Sequence, residues 1–266
     1  MEFTHSNISF AFLLTAIAGL STGIGSLIAL IAKRTNTNFL SASLGFSAGI
    51  MIYVSFMEMM PQSLESLSNV FGEKNGTLYT ILAFFCGIAF INLIDFMIPK
   101  SVNPHEVHGV EEMDKKSGLK RTGLLVALSI TIHNFPEGIA TFTSALESLD
   151  IAIPITIAIA IHNIPEGIAV AVPIYHATGS RKKAFWYSFL SGLSEPAGAL
   201  LAYLFLIQFW TPSLNGLILA AVSGIMVFIS IDELLPSAEK YGKHHISIMG
   251  LIAGMAVMAF SLYLFI

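Results

Sequence analysis

The sequence predicts an all-α fold: a polytopic membrane bundle of eight transmembrane helices in a 3+2+3 inverted-repeat arrangement, with both termini outside. Composition, apolar stretches and internal repeats carry the fold, and the placement of Lys and Arg carries the orientation. The 266 residues are 55% hydrophobic and only 11% charged, where a soluble domain carries about 25% charged residues. Mean hydropathy is +0.75. Eight stretches have the roughly 20 apolar residues a bilayer-spanning helix needs. Two pairs of distant segments also repeat one another.

The eight spans fall at about 8–32, 40–63, 76–98, 122–144, 151–174, 184–208, 215–237 and 246–266. The opening "MEFTHSN" has no basic region, and the apolar stretch after it is too long for a signal-peptide core. The first span is therefore expected to stay uncleaved. Cys86 is the single cysteine and lies in the third span. It excludes an intrachain disulfide and a cysteine-cluster metal site.

Lys and Arg mark the cytoplasmic side. Loops between spans 1–2, 3–4, 5–6 and 7–8 hold Lys33, Arg34, Lys100, Lys115, Lys116, Lys120, Arg121, Arg181, Lys182, Lys183, Lys240 and Lys243. The other loops and the termini hold only Lys74. Both ends are thus expected outside. One missed span would scramble so clean a split.

"GLSTGIGSLIA" at 19–29 matches "GLSEPAGALLA" at 192–202 in six of eleven positions, at an offset of 173. "GIMIYVSFMEMMP" at 49–61 matches "GIMVFISIDELLP" at 224–236, at an offset of 175. Gly, Ile, Met, Ser, Glu and Pro recur there. Spans 1–3 read as a copy of spans 6–8. Five spans separate the copies, so their orientations are opposite, an architecture known among transporters. The expected layout has a first three-helix repeat (1–98), a cytoplasmic loop (99–121), a central helix pair (122–174) and a second repeat (184–266).

The proposed spans contain Glu58, Asp95, Glu137, Glu166, Glu195, Asp232 and Glu233, and no Lys or Arg. An ionised side chain at mid-bilayer costs about 2.5–3.5 kcal/mol on an insertion scale. A proton or a bound cation can neutralise these groups; an internal pair with Lys or Arg cannot. "HNFPEG" at 133–138 and "HNIPEG" at 162–167 set His133 four residues before Glu137 and His162 four before Glu166. Each pair shares a helical face. His133, His162 and Glu195 each fall 11 residues into their spans, about 16 Å deep at 1.5 Å per residue. Pro136 and Pro165 leave the Ile132 and Ile161 carbonyls without their helical hydrogen bonds, so kinks are expected there.

A lone intramembrane His is more often a helix–helix hydrogen bond than a ligand. Two matched His–Asn–Pro–Glu sets and a central Glu195 exceed that explanation and point to a cation site. Nitrogen and oxygen donors without thiolate point to divalent transition metals. Two His, two Asn and three Glu exceed what one tetrahedral zinc needs. Two adjacent ions sharing Glu137 and Glu166 are a reasonable geometry.

At these residues the chain resembles the ZIP family of divalent metal transporters, and most closely its bacterial branch. HNFPEG and HNIPEG resemble that family's fourth- and fifth-helix motifs, "SEPAGA" at 194–199 the sixth, and "DELLP" at 232–236 the seventh. The resemblance covers nearly the whole chain. It implies import of zinc, and also of iron, manganese, cobalt and cadmium, through a binuclear centre in the cell membrane. By motif position, Glu137 and Glu166 resemble bridging ligands, with His133 and His162 at a zinc-preferring site. Asn134, Asn163 and Glu195 resemble the second site's ligands.

Glu58 is expected at the external mouth, and Asp232 and Glu233 at the internal mouth with Asp95. Helix-end carboxylates that snorkel to water explain these four about as well. Many members of the family carry a long His-rich loop between spans 3 and 4. Here that loop has only His105 and His108 in "NPHEVHGVEE", and a solvated acidic loop is the expectation.

The expected partners are divalent ions and the lipid bilayer, without nucleic acid; a homodimer is no more than a default. No cofactor is expected beyond the transported Zn2+, Fe2+ and Mn2+, and no enzymatic activity. The alternative weighed against transport is an intramembrane metallohydrolase. A zinc ion with an open position can activate water, but the chain has no HExxH motif and no basic group for an anionic lipid head.

Overall fold

The computed structural model describes residues 5–31, 37–97, 115–241 and 243–264, with backbone alone for 115–126 and for a few later positions that include His133. The loop histidines His105 and His108, and Lys33, Arg34 and Lys100, lie outside the described residues.

Among the described residues every element is helical. In chain order these are α1 (His5–Ile31), α2 (Thr37–Val54), a π-helical segment (Ser55–Met59) and α3 (Met60–Phe71). Next come α4 (Glu73–Met97), α5 (Lys115–Glu147), α6 (Leu149–Thr178), α7 (Arg181–Gly192) and α8 (Ser194–Leu201). A second π segment (Ala202–Leu206) and a 3-10 turn (Ile207–Phe209) lead to α9 (Pro212–Ile229). A third π segment (Ser230–Leu234), α10 (Leu235–Tyr241) and α11 (His244–Tyr263) end the fold. Among the described residues, seven helices are long and apolar enough to cross a membrane: His5–Ile31, Thr37–Phe71, Glu73–Phe96, Leu149–Val172, Arg181–Phe209, Pro212–Glu239 and His244–Tyr263.

Local chemistry sets the joints. Gly72 ends α3 at φ +79° and Gly179 ends α6 at φ +65°, backbone regions that favour glycine. Ser148 caps α6 by accepting from the Asp150 amide at 3.2 Å, and Thr211 caps α9 by accepting from Leu214 N at 3.1 Å. Each cap satisfies a helix N–H that would otherwise lack a partner.

Helix α5 begins at Lys115, seven residues before the apolar run that marked the span at 122. Helix α3 likewise continues to Phe71, past the span limit at 63. Hydropathy finds the bilayer-crossing part, while backbone hydrogen bonds carry the helix on through polar residues. Both α5 and α6 run without a break through Pro136 and Pro165.

The bundle is built apolar-out. Leu13, Ile17, Leu20 and Leu27 of α1 are exposed, as are Leu82, Phe85, Phe90 and Leu93 of α4. Thr15, Thr22, Ser47, Thr141, Ser188 and Ser223 are buried. Helices in lipid gain little by hiding apolar surface and associate through small residues and close backbone approach. A Cβ at Gly25 would lie 1.9 Å from the Ile164 carbonyl, and one at Gly198 2.1 Å from the Phe135 carbonyl.

Packing divides the helices into two groups. In the first, α1 packs on α6 and α7, and α5 on α6 and α8. In the second, α2 packs along α11, and α4 along α9 and α3. Contacts of α2 with α6 and of α5 with α9 join the groups. The pairs α2–α11 and α9–α4 hold matching glycines: a Cβ at Gly49 would meet the Leu251 carbonyl, and one at Gly224 the Phe84 carbonyl, each at 2.1 Å.

Candidate metal centre

The centre forms where α5, α6 and α8 meet inside the first group. Asn134 and Glu137 come from α5, His162, Asn163 and Glu166 from α6, and Glu195 from the first turn of α8. All six are buried, at 0–1% exposure. Glycine lets the helices close on them: a Cβ at Gly138 would sit 2.0 Å from the Glu195 carbonyl, and one at Gly167 2.0 Å from the Thr22 carbonyl. The glycine that ends each HN-x-PEG motif is therefore a contact point between helices.

The side chains form linked pairs. His162 Nε2 lies 3.3 Å from Glu137 Oε2 and 3.3 Å from Oε1. Asn163 donates through Nδ2 to Glu195 Oε1 and to the Ala18 carbonyl of α1, the latter at 3.0 Å. With its amide nitrogen turned inward, Asn134 donates to Glu166 Oε2 at 3.3 Å and to the Ile130 carbonyl at 3.1 Å. Each motif thus offers an amide to a carboxylate from another helix.

Two oxygens, Asn163 Oδ1 and Glu195 Oε2, are buried without a hydrogen-bond partner among the described residues. A buried oxygen without a donor is costly, by about 1–3 kcal/mol, and a cation relieves that cost. In this arrangement the groups bond one another: among the described residues, no three His, Cys, Asp or Glu side chains converge as a ready metal-binding group. The expected donor set also counts two asparagines, and the side chain of His133 lies outside the described ones. The donors present are imidazole, carboxamide and carboxylate, a set that suits divalent transition metals.

The four other expected residues, Glu58, Asp95, Asp232 and Glu233, come from other elements. Glu58 is half-buried in the Ser55–Met59 π segment and accepts from Gln62. Asp232 and Glu233 sit in the Ser230–Leu234 π segment, which packs on α2, α9 and α10. Asp95 is half-buried near the end of α4.

One contributor was not foreseen. Ser47 of α2, fully buried, reaches from the second group and donates toward the His162 carbonyl at 3.2 Å and Glu166 Oε1 at 3.4 Å. A serine in an apolar span carries no signal of its own, since such hydroxyls usually bond the carbonyl a turn back.

The long apolar helices of the described residues, packed around buried polar side chains, are those of a multi-pass helical membrane protein. The chain belongs to the ZIP family: the family model described as ZIP Zinc transporter matches residues 5–121 and 101–262. It is 61% identical to Zinc transporter ZupT of Streptococcus mutans, over 96% of this chain and 97% of that one. It is 58% identical to Zinc transporter ZupT of Clostridium perfringens, over 98% of both chains. The Corynebacterium glutamicum protein of that name is 57% identical, over 97% and 99%. This is a family of transporters, not of enzymes.

Proposed function

We propose that this chain carries divalent transition-metal cations, zinc foremost, through the cell membrane into the cytoplasm. The observation that carries the reading is the buried cluster itself. Glu137, Glu166 and Glu195 are each buried at 0–1% exposure on the packed helices α5, α6 and α8, in a chain whose proposed spans hold no Lys or Arg. Carboxylates buried in this way are stabilised by a bound cation or a proton, and the nitrogen and oxygen donors around them suit a metal cation. The names of the relatives support zinc as that cation.

The centre is read as binuclear. Glu137 and Glu166 are the bridging carboxylates, His133 and His162 serve one ion, and Asn134, Asn163 and Glu195 serve the other. The pairing supports this division: His162 faces Glu137, while Asn163 faces Glu195. Iron, manganese, cobalt and cadmium belong to the proposed range by the resemblance to the family's bacterial branch, and donors that mix nitrogen with oxygen are compatible with divalent transition metals. Glu58 serves the outer mouth, and Asp95, Asp232 and Glu233 the inner one.

The architecture is read as eight spans in a 3+2+3 inverted repeat, with α5 as the eighth and both termini outside. Matching contacts support the repeat. Offsets of 173 and 175 relate Gly25 to Gly198 and Gly49 to Gly224, and the partners of these glycines correspond as well. The Ser55–Met59 and Ser230–Leu234 π segments stand 175 residues apart.

Chemically, the site exchanges a metal's water shell for fixed oxygen and nitrogen donors. The absence of thiolate keeps release feasible. Uptake of labelled zinc into proteoliposomes, with iron, manganese, cobalt or cadmium as competitor, tests the reading. Zinc uptake suppressed by each competitor is expected. Purified, folded protein that moves none of them would refute it.

A further inference from the structure

Glu147 ends α5, Asn215 lies in the first turn of α9, and Ser66 lies in α3. They meet at the end of the bundle where α5 turns into α6. Asn215 donates through Nδ2 to Glu147 Oε2, and Ser66 Oγ donates to Glu147 Oε1 at 3.5 Å. Both donors are neutral, so this half-buried carboxylate has no counter-charge from either.

Asn215 adds an independent sign of a ligand. It is fully buried, and its Oδ1 has no hydrogen-bond partner among the described residues. Its own nitrogen holds the carboxamide against Glu147. Close packing fixes the backbone there: a Cβ on the next residue, Gly216, would lie 3.1 Å from Leu67 Cγ and 3.2 Å from Ser66 Cβ. Turning the carboxamide over would bring Oδ1 to the carboxylate. Two oxygens repel in that pose unless a cation or the carboxyl's own proton sits between them. Amide, carboxylate and hydroxyl oxygens are ordinary donors to divalent cations.

The surroundings agree. Glu65 of α3 acts on Glu147, and Glu73 and Asp150 begin α4 and α6 at the neighbouring helix joints, where Lys74 is the one Lys or Arg among the described residues of those joints. That excess of negative charge draws cations toward the mouth. Burial holds the Glu147 pKa above the ordinary value, hydrogen bonds from Asn215 and Ser66 offset part of that, and Glu65 adds to the rise. A cation would relieve the same strain. One turn inward on α3, Gln62 has a buried Oε1 without a partner among the described residues, and its Nε2 donates to Glu58.

We propose that Glu147, Asn215 and Ser66 form an outer capture site for a divalent cation, from which the ion passes inward past Gln62 and Glu58. The proposal rests on the reading of the chain as a metal importer.

Initial rates of zinc uptake into proteoliposomes, over a range of zinc concentrations, test it. Wild type is compared with Glu147→Gln and Asn215→Leu, each first shown to be monodisperse. The half-saturating zinc concentration should rise about fivefold to tenfold, with the effect there rather than on the maximal rate. Unchanged half-saturation in both variants would overturn the site. So would a lower maximal rate at unchanged half-saturation, which would make these contacts a conformational latch.

Equilibrium binding separates this inference from the transport reading and serves where a variant does not reconstitute. In protein carrying Glu137→Gln and Glu166→Gln, a residual zinc ion should bind and should be lost on adding Glu147→Gln. No residual binding would overturn the capture site, whatever the transport assay gives.

Discussion

At the residue scale, the centre rests on buried groups that satisfy one another only in part. Asn163 serves two acceptors with its nitrogen, while its oxygen and one oxygen of Glu195 face no donor among the described residues. Ser47 reaches this set from the second helix group. Its hydroxyl steadies Glu166 and the backbone of His162. At 3.2–3.4 Å these bonds are long, so about 1 kcal/mol is a fair estimate for them. Ser47→Ala should therefore raise half-saturation for zinc about fivefold without preventing folding. An uptake curve that superimposes on wild type would show that Ser47 only fills space. The ligand types were legible in the sequence, because His, Asn and Glu in an apolar run demand a reason. Ser47 was not, because a hydroxyl's partner is set by which helix faces it.

Among elements, glycine decides how closely helices approach, and π segments decide where regularity stops. Gly138 lies where α5 crosses α8, and a Cβ there would penetrate the Glu195 carbonyl. Gly138→Ala should lower stability by about 1–3 kcal/mol, the usual cost of overpacking. Thermal unfolding in detergent would read this as a lower midpoint. An unshifted midpoint would mean that α5 and α8 can separate freely. The two matched π segments were not legible as such. Met60 N–H bonds Ser55 O, and Leu235 N–H bonds Ser230 O, each five residues back. The residue after each is proline, Pro61 and Pro236, which has no N–H to close an α-helical turn. Hydropathy reads side chains and is blind to that change of backbone register. Pro136 and Pro165, from which kinks were expected, lie in helices that continue past them.

For the whole molecule, composition alone announced a membrane protein, since apolar excess and scarce charge are global properties. The grouping of helices was not legible, because it depends on contacts between segments far apart in the chain. Orientation is open to a direct test through the lone Cys86, which is exposed on α4. In a Cys86→Ser background, Asp150→Cys should react with a membrane-impermeant thiol reagent on intact cells. Lys182→Cys should react only after permeabilisation. The reverse pattern would invert the protein.

Zinc flux through the buried carboxylates is the central claim. The direct measurement is labelled zinc uptake into proteoliposomes holding wild type, Glu137→Gln or Glu166→Gln, each verified as folded by its unfolding midpoint. Time-dependent uptake by wild type and a loss to the level of empty vesicles in either variant are expected. Uptake at the wild-type rate by a folded Glu137→Gln, Glu166→Gln double variant would contradict it.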